Sequence, residues 1–228
     1  MERTNHPIER KDFEALVHAV GSEIEHAQVK LVVAANTQML FHYWKLGTFI
    51  RYHQNLLGWG GKVISQLAQA IRMKYPEKKG YSYRNLSYMC QFARLYPIGV
   101  LQALKECDLD LKEPTLDKAL HTTDKLNGIE IMQEPLAQIQ DSEQSGTIMQ
   151  EPLAQIHNVA KTVSDIYRME IKDIENIFMA SPVARTNWAS HVIMLNSSLP
   201  LGVSYWYMKQ SEEMGWSSNV LKIQIETN

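Results

Sequence analysis

Apolar residues in the first third of the chain recur with the spacing of a helix. From Phe13 they fall at positions 13, 16, 17, 20, 24, 27, 31, 34 and 35, one face of a 3.6-residue repeat. The pattern resumes with Leu40, Tyr43, Trp44, Leu46, Phe49 and Ile50, and no proline interrupts it before Pro76. This predicts either one very long helix or two, broken near Asn36. A long helix with an apolar stripe needs a surface to pack on, so a helical hairpin or a homodimer through this stem is expected. The cluster Gly58-Trp59-Gly60-Gly61 ends it.

A second helix is expected from Lys62 to about Lys74, burying Val63, Ile64, Leu67 and Ile71. Pro76 stops it, and Glu77-Lys78-Lys79-Gly80-Tyr81 reads as a polar turn. Ser82 is placed to cap the next helix, its hydroxyl accepting a backbone N–H that the helix leaves unpaired. Leu86, Met89, Cys90 and Ala93 give that helix an inner face, and Pro97 closes it; a short helix over 98–107 follows.

Beyond residue 107 the character changes. Residues 108–157 are acidic and poor in aromatics, and the nonapeptide IMQEPLAQI stands at Ile131–Ile139 and again at Ile148–Ile156. Two copies with a central proline do not make a solenoid. They read as a duplicated linker, with a twice-presented docking motif as the alternative. Helical patterning returns at Val159, breaks at Ser181-Pro182, and continues in three short helices around 188–195, 201–214 and 218–225. No period-two strand pattern with turn chemistry stands out. The expected fold is all-α: a helix-turn-helix module on a long helical stem (1–107), an acidic linker (108–157) and a smaller C-terminal helical module (158–228).

Charge sharpens this outline. The net charge of −2 hides a division: residues 42–100 carry nine basic groups and one acid, Glu77, whereas residues 101–180 carry seven basic and fifteen acidic groups. Such separation is expected when one face meets a polyanion, although the two halves could also neutralise each other in the fold. Cys90 and Cys107 are the only cysteines, which suits reduced thiols in a cytoplasm better than a disulfide framework. No apolar run approaches the ~20 residues that span a bilayer, and the N-terminus has no apolar signal region. A cytoplasmic protein with no membrane partner is expected.

The candidate chemistry lies in residues 62–96. Two helices joined by a glycine-containing turn, the second opening with a capped polar first turn, form the geometry of a DNA-reading unit. Its candidate contacts are Lys62, Lys78 and Lys79 for phosphates, with Ser82, Tyr83, Arg84 and Asn85 at the start of the reading helix. Arginine bonds guanine bidentately and asparagine can do the same to adenine. The template of Gly80-Tyr81-Ser82…Leu86 returns in Gly215-Trp216-Ser217…Leu221: glycine, aromatic, serine, three residues, leucine. The second copy lacks the arginine and lysines, and reads as a packing element rather than a second reader.

A resemblance follows from these and neighbouring motifs. Tyr43-Trp44-Lys45-Leu46-Gly47, Gly58-Trp59-Gly60 with Leu67, Gly80-Tyr81-Ser82 and Arg84-Asn85-Leu86 resemble the N-terminal domain of the YhcG-like family. So do Trp188, His191-Val192, Trp206-Tyr207, Gly215-Trp216-Ser217, Asn219-Val220-Leu221 and Gln224-Ile225-Glu226. The likeness covers most of residues 13–107 and 157–226, with the repeat as an insertion between them. It implies a bacterial helix-turn-helix DNA-binding region that precedes a PD-(D/E)XK nuclease domain, in genes from mobile or defence contexts. The implied role is targeting, with a nuclease domain or restriction-system component as partner.

Two departures qualify that implication. The sequence ends at Asn228, where the family continues into the nuclease, and Ser218 stands where the family commonly has a basic residue. Glu77-Lys78-Lys79 and Glu170-Ile171-Lys172 match the nuclease's Glu-x-Lys, but one is expected in a turn and the other in a helix. No catalytic residue, metal ligand or cofactor is therefore assigned. Isolated histidines such as His42 and His191 read as core or interface residues, and the five tryptophans read as helix contacts rather than base-stacking platforms. The expected function is binding of nucleic acid, duplex DNA in particular. The alternative is a protein–protein interaction or dimerisation module without direct DNA contact.

Overall fold

The computed structural model describes residues 10–60, 62–106 and 159–227. These form nine α-helices and one 3₁₀ turn, with no strand among the described residues. The helices are α1 (Arg10–Leu57), α2 (Lys62–Lys74), α3 (Tyr83–Leu95), α4 (Ile98–Glu106), α5 (Val159–Tyr167), α6 (Ile171–Ala180), α7 (Trp188–Asn196), α8 (Leu201–Met214) and α9 (Ser218–Thr227). The 3₁₀ turn, Pro182–Ala184, lies between α6 and α7. The all-α expectation holds. The repeat, Cys107 and most of the acidic stretch lie outside the described residues.

The stem is one helix, unbroken at Asn36. Its 48 residues span about 72 Å at 1.5 Å per residue. Asn36 carries a modest helix penalty, and no proline or glycine pair accompanies it to stop the helix. The stop comes at Gly58, whose positive φ of 63° lets Trp59 N–H reach back to Gln54 O at 2.9 Å. This pattern satisfies carbonyls that the helix end leaves over.

Only the C-terminal part of α1 enters the core. Leu40, Phe41, Trp44 and Ile50 are buried, whereas residues 10–20 and 23–35 are all exposed. The core joins chain segments far apart in sequence. Phe41, Trp44, Phe92 and Tyr96 pack with Ile174, Phe178, Val183, Met194 and Met208 in one cluster. Residues on both sides of 107–158 thus share one interior.

α1 and α3 cross at Gly47. A Cβ placed there would stand 2.0 Å from Met89 O and 2.9 Å from the Ala93 side chain. The missing side chain lets the two backbones touch, and Leu46, Ile50, Leu86, Met89 and Cys90 close around the crossing. α2 covers this second cluster from outside with Ile64, Leu67, Ala68 and Ile71, none of them fully buried. Trp44 fixes the other side of α3, its indole N–H donating to Tyr96 O at 2.7 Å.

Candidate nucleic-acid interface

α3 begins where the sequence expects. The Ser82 hydroxyl accepts the Asn85 N–H at 3.3 Å, with Ser82 itself in an extended conformation. Gly80, two residues earlier, has φ 93°, a conformation costly for other residues. The second copy of the template folds alike: Gly215 has φ 63°, Ser217 accepts the Val220 N–H at 3.3 Å, and Leu221 is buried as Leu86 is. Both capped helices, α3 and α9, pack against α7. The connection between α2 and α3 occupies residues 75–82, longer than the three to four residues usual in a helix-turn-helix.

The two ends of the Asn85 amide are engaged within the chain. Its Nδ2 donates to Gly80 O, and its Oδ1 accepts the Trp188 indole N–H at 2.9 Å. Asn85 thereby fastens the turn to α7, and Trp188 in turn packs edge-on to Tyr43 at 4.9 Å and Phe92 at 5.4 Å. In this arrangement Asn85 positions the start of α3, and Tyr83 and Arg84 are the residues it leaves facing outward.

Arg84 is exposed, and its guanidinium donates to the Tyr88 hydroxyl oxygen at 3.2 and 3.4 Å. The Tyr88 hydroxyl donates onward to Asn196 Oδ1 at 2.9 Å, bracing this part of α3 against the end of α7. The hydrogen bond from Arg84 holds the Tyr88 pKa below its ordinary value. No acid among the described residues pairs with Arg84.

Six further cations lie on α2, the connection and α3. Lys62 opens α2, Arg72 and Lys74 lie in its last turn, Lys78 and Lys79 sit in the connection, and Arg94 lies in the last turn of α3; all are exposed. With Arg84 that makes seven cations between residues 62 and 95, against the single acid Glu77. Lys74 lies over the Tyr75 ring at 5.7 Å. None of the seven is ion-paired with an acid among the described residues.

Other candidate chemistry resolves into structure. His191 is fully buried, and its Nε2 lies 2.9 Å from Val183 O, so that nitrogen carries the proton. Burial pushes its pKa down to about 4. The Cys90 thiol is pushed up to about 12 by burial, which makes it unreactive. His42 lies 3.1 Å from the Tyr81 hydroxyl, and burial followed by the charge of Lys45 lowers its pKa. Glu77-Lys78-Lys79 lies between two helices, and Glu170-Ile171-Lys172 is the N-terminal boundary of α6. Among the described residues, no three His, Cys, Asp or Glu side chains gather in a metal-binding group. Trp44 is core, and Trp188, Trp206 and Trp216 lie partly buried against it.

The sequence reading missed two features of this site. Tyr88 stands one helical turn after Arg84, and that i, i+4 spacing was a local signal for the contact. The Asn85–Trp188 bond spans 103 residues, and nothing in local spacing reports it.

Comparison with known proteins places one part of the chain: residues 19–107, from the stem through α4, match the DUF1016 N-terminal domain. This stretch of the chain therefore carries the N-terminal domain of the YhcG-like family, as its motifs imply. No curated protein and no solved structure matches the chain.

Proposed function

We propose that the chain binds nucleic acid, duplex DNA in particular, through the outer face of α2, the 75–82 connection and the start of α3. One observation carries this reading: the stretch from Lys62 to Arg94 holds seven exposed cations and one acid, and none of the seven has an ionic partner among the described residues. An unneutralised strip of this kind attracts a polyanion and gains free energy by releasing its counterions. The capped start of α3 adds direction, because Tyr83 and Arg84 project from a first turn that Ser82 and Asn85 hold in place.

Phosphate contact is the larger part of the interaction. Arg84 must exchange the Tyr88 hydroxyl for a base edge or a phosphate oxygen, and only this residue and Tyr83 stand ready to discriminate. Lys62, Lys78 and Lys79 are free to follow the backbone. In this reading the domain targets and does not cut, since the two Glu-x-Lys triplets stand in a turn and at a helix start. Incubating the protein with supercoiled plasmid and Mg²⁺ or Mn²⁺ tests this part. Nicking that Glu77→Ala or Glu170→Ala abolishes would contradict it.

The binding test is fluorescence anisotropy with a labelled duplex at two salt concentrations. Affinity is expected to fall steeply between ~50 and ~200 mM salt, by a power set by the number of phosphates neutralised. Binding that is absent, or insensitive to salt, would favour the second reading, a protein–protein interaction module. That reading draws on the exposed apolar stripe of α1.

A further inference from the structure

The N-terminal part of α1 is a helix without a neighbour among the described residues. Phe13, Val17, Val20, Ile24 and Leu31 are each between 50% and 70% exposed. A helix of this composition is not self-supporting, because Val17, Val20, Ile24, Val29, Val32 and Val33 are β-branched and Gly21 interrupts it. Something must cover the stripe.

The spacing says what kind of surface fits. Phe13, Val17, Val20, Ile24, Ala27, Leu31 and Ala34 follow one another at steps of four and three without a break. That is a 3.5-residue repeat over three heptads, the seam of a left-handed coiled coil, narrower than the face a globular core requires. We propose that this seam pairs with the same stretch of a second copy of the chain, antiparallel, centred between Glu25 and His26.

Two observations select this occupant and orientation. In the antiparallel register Val17 faces Ala34, Val20 faces Leu31, and Ile24 faces Ala27, so no layer pairs alanine with alanine. An in-register parallel pair would stack Ala27 on Ala27 and Ala34 on Ala34 and leave gaps. Charge agrees: flanking the seam, Glu23 of each copy comes beside Lys30 of the other, twice by symmetry. In the parallel pair Glu23 meets Gln28, and Lys30 meets Ala35, with no ionic gain. Val29, Val32 and Val33 lie off the seam, and the pairing leaves them in water.

The stretch paired layer by layer, residues 17–34, is ~26 Å long and ~10 Å wide, which buries on the order of 500–800 Å² in total. An interface of this size is weak, so the dimer is expected to dissociate on dilution. The pairing makes no use of the α2–α3 face, and its failure would leave the nucleic-acid reading standing.

Sedimentation equilibrium of the full chain from micromolar to several hundred micromolar tests the proposal. A monomer–dimer equilibrium is expected, and Ile24→Glu should abolish the dimer without changing the melting of the body, because residue 24 is exposed in the monomer. Glu23→Lys and Lys30→Glu should each weaken association by roughly 3- to 10-fold, and the double exchange should restore it. A monomer at every concentration overturns the proposal and leaves the stripe to residues 107–158 or another protein. A dimer indifferent to both charge reversals overturns the antiparallel register.

Discussion

At residue 191 the cost of burying a titratable ring becomes a measurable pH dependence. An unfolded histidine takes up its proton near pH 6.5, whereas His191 in the folded chain resists until about pH 4. The unfolded state therefore binds more protons over that interval, and stability is lost as pH falls from 6.5 towards 4. The contribution is up to about 3 kcal/mol, from roughly 1.4 kcal/mol per pH unit. Urea unfolding at pH 7 and pH 4.5 should show it, and His191→Gln should have a shallower pH dependence by about 2 kcal/mol, whatever the variant costs at pH 7. Equal slopes for the two proteins would mean the ring is protonated in place. Asn85 and Arg84 also separate at this scale. Asn85→Ala leaves the Trp188 indole N–H and the Gly80 carbonyl without their partner, so a loss of about 1–3 kcal/mol is expected. Arg84→Ala, at an exposed position, should cost less than about 0.5 kcal/mol in stability while weakening duplex binding. Thermal melts and duplex titrations on the same samples would show whether the two residues divide in this way.

Among the elements, the crossing of α1 and α3 is the most constrained. Gly47→Ala would force a methyl group into Met89 O and Ala93, where backbone must move to admit it. A destabilisation of about 1–3 kcal/mol or more is expected, against the slight gain that alanine normally brings inside a helix. Denaturant midpoints decide the sign, and a stabilised variant would show that the helices do not touch here. How much of this was readable depended on distance along the chain. Both glycine–aromatic–serine–leucine starts were legible because capping involves only residues i to i+3, and the structure repeats that geometry at Ser82 and Ser217. Helix periods were legible for the same reason. Whether the stem broke at Asn36 was not, because one asparagine is neither a sure stop nor a good helix former. Nor could periodicity reveal that Phe41 and Trp44 would meet Phe178, since an apolar stripe names no partner. The candidate site divided likewise: the lysines are exposed and Ser82 caps α3 as the pattern suggests, while the bond that Asn85 accepts comes from a tryptophan on another helix, which local spacing does not report.

For the molecule as a whole, the structure joins a body with one shared interior to a stem that no described residue covers, and seven of its exposed cations lie between Lys62 and Arg94. The proposed face includes Lys62, Lys78, Lys79 and Arg84, exposed residues that no described acid neutralises. Whether that face meets nucleic acid is the central claim, and the salt dependence of duplex binding tests it most directly. Wild-type protein and the Lys78→Ala, Lys79→Ala double variant should be titrated with one labelled duplex across ~50–200 mM salt. The account predicts a steep linear fall of log affinity with log salt for the wild type. It predicts a slope shallower by about two for the double variant, about one for each phosphate that the missing lysines no longer neutralise. Identical slopes for the two proteins, or no binding at the lowest salt, would contradict it.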